Sequence, residues 1–326
     1  ALYKPGPYWD KKTKMAIKDI KRFGITDFRG GENTIGASFA DSAIIDLRTQ
    51  TNLGLGNLLC FFYTKIYPFN RLFDAQVKYS EGLFHRLNER INHSILSDRE
   101  LLIMLQDFKP PQENIKGGCK MYCNIEGVNV SHLYIQMLWR LKNISLHMEL
   151  GGIKTYFEIG GGFGSFVHCL LENYNNVRKV VYLDVAPNLY IGTQYLRSFY
   201  GDAVKDYTEL RTKTEISFKD DDSLEILCIA SWQIENLRCK IDLFHNANSF
   251  VEMPKNIVEN YGKLIKSLMS KNGSISLISY DHFDSSTTFD PAELLKLLSL
   301  RKGKLEVSKK PRALGKSEFD FYAVCK

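Results

Sequence analysis

From Lys154 onward, short apolar runs alternate with stretches of helical period, and this rhythm restricts the fold more than any other feature of the chain. KTYFEI reads as a strand, and SFVHCLLENY as a helix with Phe166, Leu170 and Tyr174 on one face beside Val167 and Leu171. KVVYLDV is a second strand ending at Asp184, followed by the helix NLYIGTQYLRSFY. A polar loop through LRTKTEISFKDDDS leads to a third strand, EILCIAS, and KIDLFHN makes a fourth. PKNIVENYGKLIKSLM has Pro254 near its first turn and an apolar stripe from Ile257 to Met269, the pattern of an amphipathic helix. KNG then turns the chain into a fifth strand, SISLISY. Asp290, Pro291 and Glu293 cap a last helix, LLKLLSL, and KLEVSK and EFDFYAVC close as an antiparallel pair across KPRALGK. Such alternation buries its apolar faces as a mainly parallel sheet with helices on both sides. The expected fold class is α/β: a doubly wound, mainly parallel sheet with an antiparallel C-terminal strand pair.

Before about residue 150 the text is mostly helical. Leu83, Phe84, Leu87, Ile91 and Ile95 recur at helical spacing, and SDRE, from Ser97 to Glu100, forms a capping box for the next helix. A further helix is expected over Val130 to Met148. Gly54 and Gly56 follow no strand, so a turn is expected there. The expected division is a helical region over 1–150, serving as a cap or as the contact of a homo-oligomer, and the sheet domain over 151–326.

No apolar run approaches the roughly 18 residues that a membrane span needs. The opening ALYKPGPYWDKKTK lacks the apolar core and cleavage site of a signal peptide, and the expectation is a cytoplasmic protein. Seven scattered cysteines, an odd number, argue for reduced thiols. Cys119 and Cys123 have no second pair at zinc spacing, and no structural metal is indicated. The net charge of +6 gathers at the ends, with eight Lys/Arg against three Asp/Glu both in 1–29 and in 301–326. Basic ends are either solvated surface or a contact for acidic polymers.

The candidate site begins at YFEIGGGFGSF. Glycines placed directly after the first strand let a ligand approach the backbone at the carboxyl edge of a doubly wound sheet. A phosphate loop from Gly160 needs Gly and Lys at 165 and 166, where Ser165 and Phe166 stand. The dinucleotide fingerprint fails as well, at Ser165 or Val167 according to its starting glycine. The spacing present is E-x-G-x-G-x-G, from Glu158 through Gly160 and Gly162 to Gly164.

That loop, with Asp184 closing the next strand, resembles the first motif and the ribose-binding acid of class I S-adenosylmethionine-dependent methyltransferases, whose fold is Rossmann-like. The likeness narrows over Thr155 to Met269, which resembles the sugar O-methyltransferase family. Asp184, Pro187, Asn188, Leu189, Tyr190, Tyr195 and Leu196 match DxxPNLYxxxxYL, and Asn246, Ser249, Phe250, Glu252 and Met253 match NxxSFxEM. The resemblance implies S-adenosylmethionine as cofactor, contacted by Glu158, Gly160, Gly162, Gly164, Asp184, Trp232, Gln233 and Asn246, and a sugar or glycan as acceptor. The basic ends suit an acidic glycan.

A sugar hydroxyl is a poor nucleophile, so a positioned base is useful. Glu252, His245 and His282 are the candidates. Glu252 is either that base or a charge favoured by the following helix N-terminus. His245, ending an apolar strand, is either the base or a core histidine. His282 needs a turn to cooperate with Asp281. Trp232 either stacks on adenine or belongs to the core. Asn246 either contacts the donor or caps a turn. Asp242, Glu252, Asp281 and Asp284 offer oxygen ligands without recognisable metal spacing. Two other functions stay open: methyl transfer to RNA, protein or a small amine, and a non-catalytic binding protein on the same fold. Nucleic acid is disfavoured, since KKTKMAIKDIKRFG interleaves only Phe23 among its basic residues.

Overall fold

A computed structural model describes residues 2–4, 6–29, 98–119, 122–125, 127–280, 288–290, 293–298, 306–311 and 317–324. The expected helix around Leu83 to Ile95, the turn at Gly54 and Gly56, and Ser97 of the capping box lie outside these residues. The chain divides into two compact units. One comprises Ala1–Lys14, Asp107–Pro111 and Met137–Lys326, the other Met15–Gln106 and Gln112–Gln136.

In chain order the described elements are α1 (Pro7–Phe23), α2 (Asp98–Asp107), β1 (Tyr122–Ile125), β2 (Val128–Ser131), α3 (His132–His147), β3 (Thr155–Ile159), α4 (Ser165–Asn173), β4 (Lys179–Leu183), α5 (Asn188–Tyr200) and β5 (Val204–Lys205). They continue with β6 (Glu225–Ile229), β7 (Ile241–Ala247), α6 (Lys255–Leu268), β8 (Met269–Tyr280), α7 (Leu294–Leu297), β9 (Glu306–Pro311) and β10 (Ser317–Val324). Among the described residues no helix is long and apolar enough to cross a membrane.

In the second unit β1 and β2 form an antiparallel hairpin, Tyr122 opposite Ser131. Val130 and Ser131, expected in a helix, are therefore strand, and α3 starts at His132, two residues later than expected. Arg29 is fully buried in this unit because its guanidinium is paired at each turn. It donates to the Asn114 carbonyl (2.6 Å), the Lys116 carbonyl (2.9 Å) and Ser131 Oγ (2.8 Å). A buried charge without such partners would cost several kcal/mol, on the order of its desolvation.

The sheet of the first unit runs β5-β6-β4-β3-β7-β8-β10-β9. Neighbours from β5 to β8 pair parallel, and β10 runs antiparallel to both β8 and β9. The expected fold class holds. Strands covered on both faces read as unbroken apolar runs, and all five residues of β6 are buried. Side chains alternate between the faces. Phe157, Ile159, Val181, Leu183, Leu227, Ile229, Phe244 and Leu277 form one core with Val258, Tyr261 and Ile265 of α6. The opposite face carries Glu158, Tyr182, Cys228, His245 and Ser276, the partners of one another across adjacent strands.

Two expectations are corrected here. The KNG segment is not a turn before the fifth strand but lies within β8, where the pairing register with β7 shifts between Ile241 and Leu243 and Asn272 takes a φ of 68°. The fourth strand does not end at His245 but continues to Ala247, so His245 sits inside the sheet.

At the amino ends of the strands, Asp242 ties three of them together. Its Oδ2 accepts from the Lys154 and Thr155 amides (both 3.0 Å) and from the Thr155 hydroxyl (2.9 Å), and its Oδ1 accepts from Ser270 (2.8 Å). Burial would raise its pKa, but these bonds together hold the carboxyl below its ordinary range. The sequence offered Asp242 as an oxygen ligand; the fold uses it as a clamp at the edge opposite the glycine loop.

Candidate functional site

β3 stops at Ile159 because the backbone then enters conformations that a side chain would oppose. Gly160, Gly162 and Gly164 take φ values of 78°, 63° and 85°. A methyl group added at Gly160 would overlap the Ser249 side chain. One added at Gly161 would lie 2.9 Å from the Glu158 carboxyl and the Tyr182 ring. The loop is fastened to β4, with the Gly160 amide donating to the Leu183 carbonyl (2.9 Å) and the Tyr182 hydroxyl to the Gly162 carbonyl (2.5 Å).

Asp184 follows β4 directly and faces this loop. It is 5% exposed. Its Oδ2 accepts from the Gly162 amide (2.9 Å), and its Oδ1 from the Val185 amide (2.7 Å) and more loosely from Asn188 Nδ2 (3.4 Å). Two carboxylate oxygens offer about four acceptor positions, so Oδ2 keeps one free after these bonds, and the long Asn188 contact leaves Oδ1 only loosely filled. Burial pushes the Asp184 carboxyl up to about 7 against the pull of those donors, and the charge of Glu252 adds to the rise.

Glu158 is 3% exposed, and its Oε2 has no hydrogen-bond partner among the described residues. Burial pushes its carboxyl up to about 8. The Tyr156 hydroxyl lies near enough to ease the charge without the geometry of a hydrogen bond, Asp184 adds repulsion, and Arg140 attracts. A buried carboxyl with an unused oxygen is poised for a cationic or donating partner.

The remaining sequence candidates separate into engaged and available groups. Gln233 is engaged: its Oε1 accepts from the Ala230 amide (2.7 Å) and its Nε2 donates to the Tyr207 carbonyl (3.1 Å). Asn246 is engaged too, donating to the Ile159 carbonyl (2.8 Å) and Ser249 Oγ (2.5 Å) and accepting from the Phe250 amide (3.3 Å). It holds the end of β3 where the glycine loop begins. Trp232, on the turn after β6, is 52% exposed and available. Glu252 ends the single helical turn Ser249–Glu252, is half-buried, and accepts from Trp9 Nε1 (3.0 Å). His245 has no exposed surface; it stacks on Phe166 with ring centroids 4.6 Å apart, and its Nδ1 lies 3.1 Å from Ser276 Oγ. Burial, helped by Arg140, pushes its pKa down to about 3. Its Nε2 has no hydrogen-bond partner among the described residues, and the ring is enclosed within the sheet layer. His282, Asp281 and Asp284 lie outside the described residues.

Two residues at this edge carry no sequence signal of their own: Tyr182, which braces the loop, and Trp9, which reaches Glu252 from far away in the chain; Ser249, which also braces the loop, stands in the NxxSFxEM stretch. Only the parity of Tyr182 with Asp184, two positions on along β4, could have suggested a shared face. Among the described residues no group of three or more His, Cys, Asp or Glu comes together as a metal site.

No protein-family model matches this chain, and no curated protein matches it. Solved structures similar to it include the pyocyanin biosynthetic protein PhzM, at 13% identity and TM-score 0.41, over 60% of this chain and 57% of that one. The S-adenosylmethionine-bound magnesium protoporphyrin IX methyltransferase of Synechocystis is 12% identical with TM-score 0.40, over 59% of this chain and 78% of that one. The mitomycin 7-O-methyltransferase MmcR is 15% identical with TM-score 0.37, over 60% of this chain and 58% of that one. The chain thus matches little more than half the length of PhzM and MmcR. The fold class rests on the strand order itself: a parallel sheet finished by one antiparallel strand inserted before the edge is the class I methyltransferase arrangement.

Proposed function

We propose that this chain binds S-adenosylmethionine at the carboxyl edge of β3, β4 and β6 and catalyses transfer of its methyl group to a sugar hydroxyl. The observation that carries the reading is Asp184: a buried carboxylate whose two oxygens are oriented by loop and strand-end amides, facing a glycine loop with spare acceptor capacity. Those residues fit the donor. Asp184 accepts from the ribose hydroxyls, the unpartnered Glu158 oxygen meets the amino-acid ammonium, and exposed Trp232 offers a face to the adenine. The Gly160–Gly164 backbone takes positive φ at three positions and packs against Ser249, Glu158, Tyr182 and Leu196, so glycine fixes the tight turn that faces Asp184.

S-adenosylmethionine supplies an electrophilic methyl on a sulfonium, so the chain has to align the acceptor, exclude water and receive a proton. Glu252 is the carboxylate held at the same edge and suited to accept that proton; His245, enclosed and depressed in basicity, is not exposed to an acceptor. The sugar acceptor rests on the sequence resemblance over Thr155 to Met269, and the basic segments 1–29 and 301–326 favour an acidic one.

Incubation with methyl-labelled donor and a panel of nucleotide sugars and glycans, with and without chelator, tests both parts. Label in a sugar, lost with Asp184→Ala, supports the proposal. Label in RNA, protein or amine panels alone would overturn the acceptor, and absence of donor binding would overturn the activity.

A further inference from the structure

The segment from Tyr3 to Thr13 belongs to the same compact unit as the sheet, although more than 140 residues separate it from β3. Its polar contacts to the sheet unit fall on α6 and on the turns at the carboxyl ends of β4, β6 and β7. The Tyr3 carbonyl accepts from Ser231 Oγ (3.0 Å), just after β6. The Tyr3 hydroxyl donates to Glu235 Oε1 (2.5 Å) and accepts from Asn260 Nδ2 (2.9 Å), and its ring meets the Tyr261 ring edge-on at 6.1 Å. Burial, reinforced by the bond to Glu235, pushes that hydroxyl up to about 12. Trp9 Nε1 donates to Glu252 (3.0 Å) after β7, and Thr13 Oγ1 donates to the Ala186 carbonyl (2.7 Å), two residues beyond Asp184. One strap thus touches the carboxyl-end turns of β6, β7 and β4.

Glu252 and Asp184 are like charges close enough for the first to raise the proton affinity of the second. The Trp9 indole N–H is a neutral donor, and its bond orients the Glu252 carboxylate.

We infer that Trp9 is a positioning residue of the donor site: its indole N–H fixes Glu252 on the turn after β7, at the same carboxyl edge of the sheet as Asp184, and the Tyr3–Thr13 strap holds it in place. This rests on the proposed donor binding. Trp9 acts through Glu252, so the two residues must behave as one unit.

A double-mutant cycle tests it, with S-adenosylhomocysteine titrated calorimetrically into the full chain. Trp9→Phe keeps the ring and removes the N–H; about a tenfold loss of affinity is expected, the effect of one hydrogen bond to a charged group. Glu252→Gln should lose a similar factor, and the double variant no more than either single one. Additive losses, or unchanged affinity in Trp9→Phe, would overturn the inference while leaving donor binding intact. A wild-type chain that takes up no S-adenosylhomocysteine overturns the functional proposal and the inference together. Thr13→Val releases the strap from Ala186 without touching Trp9 or Glu252, and so covers a Trp9 variant that fails to fold. It should weaken binding severalfold, and full wild-type affinity would contradict the strap.

Discussion

Replacing Glu158 by glutamine should remove a pH dependence of stability that the wild-type fold carries above neutrality. Glu158 ionises with an ordinary pKa of 4.5 when unfolded and about 8 in the fold, so the native state holds its proton more tightly and loses stability as pH rises toward 8. His245 works in the opposite direction: its pKa falls from 6.5 to about 3, so it lowers stability as pH drops below 6.5. The two slopes oppose each other between pH 4.5 and 6.5; above that range the His245 contribution is gone and the decline is shared by Glu158 and Asp184. From pH 6.5 to 8 the linkage relation gives a loss of about 1.5 kcal/mol for Glu158 and about 0.8 kcal/mol for Asp184, whose folded pKa is about 7. Urea unfolding at half-unit pH steps measures this directly, since a stability change at constant slope moves the midpoint. Wild type should lose about 2 kcal/mol across the window and Glu158→Gln less than half of that. Equal declines in the two proteins would show that Glu158 is not held as a buried, under-partnered carboxyl, and the rationale for its part in the site would fail.

Gly160→Ala should destabilise the fold by about 2–4 kcal/mol, through strain at positive φ and overlap with Ser249; adding Ser249→Gly should recover part of the loss, and strictly additive urea midpoints would refute the contact. Asp242→Ala should cost about 2 kcal/mol or more by stripping four donors of their acceptor at the amino ends of β3, β7 and β8. Because the folded Asp242 pKa is depressed, its contribution is present above pH 3.8 and lost as pH falls through the lower folded value, so the variant's deficit should shrink in acid unfolding curves. His245→Asn should gain stability relative to wild type as pH falls from 6.5 to 4.5, because only the wild type then carries a buried imidazole that stays neutral, while S-adenosylhomocysteine affinity stays within about twofold; a large loss of affinity would place His245 in the site after all.

The sheet was legible because β3, β4, β6 and β7 are buried apolar runs and each helix between them has one apolar face, so period and length agree with the tertiary environment, whereas the two-residue edge strand β5 is too short to show a period and was not expected. Val128–Ser131 was hidden because its strand identity comes from pairing with Tyr122–Ile125, a partner that local periodicity does not reveal. KNG carries turn residues, yet the parallel register absorbs them as an irregularity within β8. At the site, the glycines and Asp184 announced themselves through spacing. Gln233 and Asn246 sat at the expected strand ends, but their amides are taken by backbone groups, a distinction visible only in three dimensions. Trp9 and Tyr3 were unreadable for the same reason, since their meaning lies in residues 228 to 257 positions away along the chain.

Calorimetric titration of S-adenosylhomocysteine into the wild-type chain and Asp184→Ala probes the central claim most directly. One equivalent should bind per wild-type chain, and removal of the carboxylate should weaken binding roughly a hundredfold, the loss of about two hydrogen bonds to a charged acceptor. Heats indistinguishable from dilution in the wild type, or equal affinities in the two proteins, would contradict it.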